Sequence, residues 1–209
     1  LWQDNAGRLQ PVSGDLDGDG RDELITLSHD GSFHVIAIDP DGGIEITQLP
    51  QQLSAGVDGT IYSPSLADVD GDGFLEVVAL TGRTVQVVRP TSGLNQPGFP
   101  AAAPKYHEAG NFTMSPIMVD LDGDGRQEIL AGGPTGVSGF DDDGVFLPSF
   151  PLLTQAPITV SPVLADLDGS GGVEIVGLTR ERLHAWDPVR LMAGYRGVDV
   201  GWGQDGFDA

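Results

Sequence analysis

Short apolar runs alternate with clusters of glycine, proline and aspartate along the whole sequence. The clearest runs are about five residues long and rich in branched side chains: ELITL, EVVAL, EILAG and EIVGL, beginning at Glu23, Glu76, Glu128 and Glu174. Apolar runs of this length, bounded by turn-forming residues, predict β-strands and leave little room for long helices. The pattern therefore predicts an all-β protein with many turns.

The runs recur in a fixed order, which divides the chain into four tandem repeats. In each repeat a proline opens a first apolar run, an acidic nonapeptide follows, and a second apolar run comes directly after it. A third run ends at a turn, and a fourth, weaker strand is predicted in IEITQL from Ile44 and in VFLPSF from Val145. The third runs are FHVIAID from Phe33, TVQVVR from Thr84, VSGFD from Val137 and RLHAWD from Arg182. Three or four short antiparallel strands in a repeat of roughly 50 residues predict the blade of a β-propeller.

We interpret residues 1–209 as a single β-propeller segment with four visible repeats, at roughly 11–62, 63–113, 114–159 and 160–209. Four repeats predict either a partial ring or a small closed one. Residues 1–10 resemble the end of a third strand and its turn, and we expect them to belong to a preceding blade or to close the ring. No signal peptide opens the sequence, and no stretch approaches the roughly 20 apolar residues that cross a bilayer, so membrane insertion is not expected.

The acidic nonapeptide has the composition of a cation site. Its copies, loops 1 to 4, read DLDGDGRDE (15–23), DVDGDGFLE (68–76), DLDGDGRQE (120–128) and DLDGSGGVE (166–174), and we number their positions one to nine. Carboxylates at positions one, three, five and nine, with a carbonyl at position seven, supply the hard oxygen ligands that Ca²⁺ prefers. Glycines at positions four and six permit the tight curl. The predicted ligands are Asp15, Asp17, Asp19, Arg21, Glu23, Asp68, Asp70, Asp72, Phe74, Glu76, Asp120, Asp122, Asp124, Arg126, Glu128, Asp166, Asp168, Ser170, Gly172 and Glu174.

Other interpretations of the loops fit less well. Zn²⁺ prefers His or Cys, Mg²⁺ keeps more water, and an EF-hand needs a glutamate at position twelve between two helices. Purely polar turns would not explain four in-register copies. We therefore expect up to four Ca²⁺ ions, with the weakest binding in loop 4, where Ser170 replaces an aspartate.

Charge restricts the partners of the chain. The formal net charge is −21, which argues against nucleic acid because phosphate contacts need clustered Lys and Arg. Cysteine is absent, so disulfides and thiolate sites are excluded, as in many bacterial secreted proteins.

The loop D-x-D-G-D-G-x-x-E, preceded by Ser-Pro at residues 63–64, 115–116 and 161–162, resembles the FG-GAP/VCBS repeat of integrin α-subunits and bacterial secreted proteins. The resemblance covers about residues 11–188. It implies a Ca²⁺-binding propeller whose ions are held by positions one, three, five and nine and the position-seven carbonyl. The Phe-Gly and Gly-Ala-Pro signatures are poorly kept, and Pro97-Gly-Phe-Pro and Pro148-Ser-Phe-Pro are similar to a bacterial variant instead.

These observations predict an extracellular, calcium-binding module, secreted or displayed on a bacterial surface, that acts as an adhesion or interaction scaffold for a protein or glycan. No catalytic constellation is evident, which favours a non-enzymatic role. The alternatives are the propeller portion of a secreted carbohydrate-active enzyme or peptidase, and a structural fibre or coat subunit. Further blades of the parent protein and self-assembly are the other expected contacts. The irregular stretch from Ser92 to Asn111 is the predicted contact region.

Overall fold

The computed structural model describes residues 9–28, 30–53, 61–104 and 111–188, and the regular secondary structure of this part of the chain is almost entirely β-strand. Its strands form four antiparallel sheets, which we call blades 1 to 4, in chain order. The all-β prediction and the propeller-type blades are confirmed. The strands are β1 Val12–Gly14, β2 Glu23–Leu27, β3 Ser32–Ile38, β4 Ile44–Gln52, β5 Ser65–Ala67, β6 Glu76–Thr81, β7 Thr84–Arg89, β8 Leu94–Asn95, β9 Ala101–Ala102, β10 Ile117–Val119, β11 Glu128–Gly133, β12 Gly136–Phe140, β13 Leu152–Leu153, β14 Val163–Ala165, β15 Glu174–Leu178 and β16 Leu183–Trp186.

Each blade is a meander in which neighbouring strands follow one another in sequence. Blade 1 has the order β1-β2-β3-β4, blade 3 the order β10-β11-β12-β13, and blade 4 the order β14-β15-β16. Blade 2 has the order β5-β6-β7-β8, and β9 also pairs with β7. Each sheet falls within one of the four repeats defined from the sequence. Among the described residues, no helix has the length and apolar character needed to cross a bilayer.

The cores of the protein lie between successive blades. Val77 and Ala79 on one face of β6 pack against blade 1, whereas Val78 and Leu80 on the other face pack against blade 3. A third cluster joins blades 3 and 4 around Ile175. Because successive side chains of a strand point to opposite faces, a strand between two blades must be apolar throughout. This explains why the second run of each repeat does not alternate between apolar and polar residues.

The fourth strand of blade 3 differs from the prediction. VFLPSF from Val145 forms a turn with a single bridge, Phe140 to Phe146, and the strand that pairs with β12 is β13. Pro148 has no N–H to donate to a sheet ladder. The turn is held instead by the Leu147 N–H, which donates to the Gly139 carbonyl at 2.9 Å, and by the Phe150 N–H, which donates to the Leu147 carbonyl at 3.0 Å.

The stretch from Ser92 to Asn111 is more regular than expected, because it contains β8 and β9. Phe99 and Ala101 in this stretch are buried against blade 3. Residues 105–110 of the predicted contact region lie outside the described residues, as do 1–8 and 189–209.

Candidate metal centres

Each acidic loop connects the first two strands of its blade and is closed at its base by the sheet. The glutamate at position nine is the first residue of the second strand, and it pairs with the last residue of the first strand. The pairs are Gly14 with Glu23, Ala67 with Glu76, Val119 with Glu128 and Ala165 with Glu174. The strand register therefore fixes the two ends of every loop.

The aspartate at position one organises the inside of the loop. In loop 1 its Oδ2 atom accepts the Gly20 N–H at 2.9 Å and its Oδ1 atom accepts the Gly18 N–H at 2.8 Å. The bond from position six recurs in the other three loops, at 3.0, 3.0 and 3.1 Å. Both glycines have positive φ in all four loops, between 73° and 92°, a conformation that L-residues rarely adopt. Two glycines and one carboxylate thus produce the same curl four times.

The glutamate at position nine uses one carboxylate oxygen to accept a backbone hydrogen bond within its loop. Its Oε2 atom accepts the backbone N–H of position two at 3.0, 2.9, 2.6 and 2.7 Å in loops 1 to 4, and the side chain is buried in each case. The Oε1 atom is not used in these bonds. The position-nine carboxylate is therefore fixed beneath the loop, and its Oε1 atom is left to coordinate a cation.

Carboxylate oxygens converge in every loop. In each of four groups, ligand atoms from three residues lie within 4.8 Å of one another: Asp15, Asp17 and Asp19; Asp68, Asp70 and Glu76; Asp120, Asp122 and Glu128; and Asp166, Asp168 and Glu174. Most of the predicted carboxylate ligands are included. Glu23, Asp72 and Asp124 lie outside these groups, and Ser170 accepts the Gly172 N–H at 3.4 Å.

The electrostatics of the groups fit a cation. Burial, together with the nearby charges of Asp70 and Asp72, raises the pKa of Glu76 to about 7 against the lowering effect of the Val69 N–H. Burial likewise raises the pKa of Glu128 to about 7. The Oδ1 atom of Asp68 is buried and has no hydrogen-bond partner. A buried carboxylate oxygen without a partner is costly unless a cation or donor satisfies it. The donor set of hard oxygens therefore fits Ca²⁺.

Three arginines near the loops were not anticipated as neighbours of the carboxylates. Arg21 pairs with Asp19 and lowers its pKa, Arg89 pairs with Asp70, and Arg126 pairs with Asp142 outside loop 3 at 2.6 Å. The sequence indicated that Arg89 differs in charge from the residues at the equivalent position of the other repeats. The third run of repeats 1, 3 and 4 ends in aspartate, whereas that of repeat 2 ends in Arg89, which reaches back to its own loop.

The histidines and tryptophans in the described part of the chain form no second metal-binding group there. His184 is buried and stacks on Trp186, with ring centroids 5.4 Å apart, and Trp186 belongs to the core between blades 3 and 4. His34 lies beside the Ser28 hydroxyl, with Nδ1 3.3 Å from it. His29, His107, Trp2 and Trp202 lie outside the described residues.

The raised pKa values predict that the metal-free protein becomes more stable as the pH falls from about 8 to about 5. The folded-state pKa of Glu76 and Glu128, about 7, exceeds the ordinary value of 4.5, so the folded state binds more protons in this range. Urea denaturation in excess chelator measures the effect. The double variant Glu76→Gln/Glu128→Gln, which keeps an oxygen for each backbone N–H, should show a flatter dependence. Equal slopes for the two proteins would contradict the assignment.

Comparison with known proteins agrees with this geometry. Residues 15–79 match the model of the FG-GAP-like repeat. A search of curated proteins finds no match to the sequence.

Two solved structures share the fold. The crystal structure of the Vibrio cholerae biofilm matrix protein Bap1 is 24% identical, with a TM-score of 0.59 over 86% of this chain and 26% of Bap1. The structure of BBS1N in complex with ARL6DN is 9% identical, with a TM-score of 0.53 over 87% of this chain and 55% of that one. The chain thus spans only part of the length of either protein. Residues 15–79, which contain loops 1 and 2, thus match the FG-GAP-like repeat, and they lie in the first two of the four blades.

Proposed function

We propose that this chain is an extracellular adhesion-type module whose blades are fixed by Ca²⁺ bound in the four acidic loops. The observation that carries the proposal is the convergence of three carboxylates in the same place in every blade, with the same backbone hydrogen bonds around them. Calcium would neutralise carboxylates that otherwise repel one another. It would be held by the aspartates of positions one, three and five and by the glutamate of position nine, with the position-seven carbonyl completing the set.

The proposed location follows from the affinity of such sites. Oxygen-ligand sites of extracellular modules bind Ca²⁺ with dissociation constants on the order of 10⁻⁴–10⁻³ M, so they fill outside the cell and stay empty in cytosol. The match of residues 15–79 to the FG-GAP-like repeat and the structural similarity of the chain to a biofilm matrix protein support an extracellular role. A protein or glycan ligand is the partner we infer, since a net charge of −21 disfavours polyanions.

Equilibrium dialysis tests the proposal directly. We expect bound calcium to approach four ions per chain at millimolar free calcium, with the last ion entering loop 4, where Ser170 replaces a carboxylate. The variant Glu128→Gln should lose one ion, because it removes a carboxylate from the group of loop 3 and keeps an acceptor for the Leu121 N–H.

Asp41→Asn is the matched control. It removes the same charge from an exposed turn of blade 1, outside every carboxylate group, and it should leave the stoichiometry unchanged. Binding of fewer than one ion per chain, or the same loss in both variants, would overturn the proposal.

A further inference from the structure

Loop 2 already contains a positive charge at one of its proposed calcium ligands. The Nη2 group of Arg89 pairs with Oδ2 of Asp70, the aspartate at position three, and the two side chains are 36% and 15% exposed. The other oxygen of this aspartate, Oδ1, accepts the Asp72 N–H at 3.3 Å. Both carboxylate oxygens of Asp70 are therefore engaged by donors of the chain itself.

The core of blade 2 holds the arginine in this place. The Nε–H of Arg89 donates to Oε1 of Gln96 at 2.7 Å, and Gln96 is only 4% exposed. The backbone N–H of Gln96 in turn donates to the Val87 carbonyl at 2.9 Å, so the glutamine is fixed to β7. A guanidinium that a buried side chain orients loses little conformational freedom when it pairs. The pair with Asp70 should therefore be stronger than an ordinary exposed salt bridge.

The arginine distinguishes blade 2 from the other blades. By strand register, the residues equivalent to Arg89 are Ala37 in blade 1, Asp141 in blade 3 and Asp187 in blade 4. The position-three aspartates of loops 1 and 3 accept the position-five N–H, as Asp70 does, but they form no salt bridge within the described chain. Loop 2 thus differs from loops 1 and 3 in the pairing of this ligand.

The position-one aspartate of loop 2 shows a second difference. In loops 1, 3 and 4 its Oδ1 atom accepts the N–H of position four, at 2.8, 2.7 and 2.7 Å. In loop 2 the Oδ1 atom of Asp68 is buried and has no hydrogen-bond partner. Arg89 therefore neutralises one member of the group of Asp68, Asp70 and Glu76, and it leaves a buried oxygen that a bound cation would satisfy.

We propose that Arg89 competes with calcium in loop 2: it neutralises Asp70 in the calcium-free chain and releases this carboxylate when calcium binds. The inference rests on the calcium sites of the proposed function. Its first consequence is that Arg89 lowers the calcium affinity of loop 2, because binding must separate a positive charge from one of the ligands. Its second consequence is that loop 2 keeps its shape at low calcium, because Asp70 is already paired.

Equilibrium dialysis of the variant Arg89→Gln tests the first consequence. We expect the calcium affinity of loop 2 to rise about three- to tenfold, so the variant should bind more calcium than the unsubstituted chain at about 0.1 mM free calcium. The same substitution in a Glu76→Gln chain should add nothing, because loop 2 has then lost a carboxylate of its group. Arg180→Gln is the matched control, since it removes the same charge from an exposed turn of blade 4 and should leave binding unchanged.

Thermal melts distinguish this role from a purely structural one. In excess chelator, Arg89→Gln should melt at a lower temperature than the unsubstituted chain, because Asp70 then faces its neighbouring carboxylates without a counter-charge. Calcium should raise the melting temperature of this variant by more than it raises that of the unsubstituted chain. Arg89→Lys, which keeps the charge, should lie between the two. An arginine that only packs would lower both melting temperatures equally.

Nuclear magnetic resonance of the unsubstituted chain provides a third measurement. The Nε–H signal of Arg89, assigned by its absence in Arg89→Lys, should shift as calcium fills loop 2. Calcium binding without this shift, or an affinity in Arg89→Gln no higher than that of the unsubstituted chain, overturns the inference and leaves the proposed calcium sites intact. An unsubstituted chain that binds less than one ion overturns the proposed function, and the inference with it.

Discussion

Calcium should raise the melting temperature of the protein by about 10 °C or more between excess chelator and about 10 mM free calcium. A site with a dissociation constant on the order of 10⁻⁴–10⁻³ M contributes about 1.4–2.7 kcal/mol at that concentration. Each kcal/mol shifts the melting temperature of a chain of this size by about 2–4 °C. Several occupied sites therefore produce a large shift, because bound ions relieve repulsion among converging carboxylates such as Asp120, Asp122 and Glu128.

Differential scanning calorimetry measures the shift in melting temperature. Two controls distinguish coordination of calcium in the loops from general screening of the negative charge of the protein. Magnesium at the same concentration screens the charge of −21 equally well but fits the loop poorly, so its effect should be less than half as large. The variant Glu128→Gln should lose part of the calcium effect, and above about pH 7 it should raise the melting temperature of the metal-free protein, because it removes one of the buried carboxylates that repel one another. Identical melts in chelator and calcium, or equal effects of the two cations, would contradict the proposed role of the loops.

Gly98→Ala should destabilise the protein by about 3 kcal/mol or more. Gly98 has a φ of +88°, and a Cβ atom there would lie 1.8 Å from the carbonyl oxygen of Asp143 in blade 3. Both clashing groups are backbone, so neither can move aside without separating blades 2 and 3. The opposite contact is also too close for a side chain, since a Cβ on Gly144 would lie 2.7 Å from the Gly98 carbonyl oxygen.

Gly42→Ala is the matched control for this prediction. Gly42 has nearly the same φ, +87°, but nothing lies within 4 Å of the Cβ position. Its substitution should cost only the conformational strain, about 1–2 kcal/mol. Urea denaturation of the two variants in calcium gives the difference, which measures the contact between the blades. Equal losses of stability would show that the backbone contact between Gly98 and Asp143 contributes nothing.

The sequence was sufficient where local chemistry determines the structure. Glycines at positions four and six and carboxylates at one and nine specify the curl of each loop, so the loops and their flanking strands could be predicted from one copy and checked against three others. The apolar second runs were correctly predicted as strands. These features depend on residues that are close in the chain.

Contacts between distant segments were not predictable in the same way. The arginine at the end of TVQVVR marks repeat 2 as different, but it does not identify Asp70 as the partner of Arg89. The sequence also does not show that the loop around Gly98 touches the turn of the next blade at Asp143. The fourth strand of blade 3 was misplaced because VFLPSF has the composition of a strand, while the pairing of β12 with Leu152 depends on where the preceding turn ends. Each of these features is decided by packing between segments, which a single sequence does not display.

The double use of the position-nine glutamate has an evolutionary consequence. Because one oxygen holds the backbone of position two while the loop curl rests on position one and two glycines, a repeat can lose an ion ligand elsewhere and still fold as a hairpin. Loop 4 already carries Ser170 in place of aspartate and keeps the same curl. We therefore expect changes at positions five, seven and eight to leave the hairpin intact, whereas a change at position one or nine that removes the hydrogen-bond acceptor should destabilise the blade.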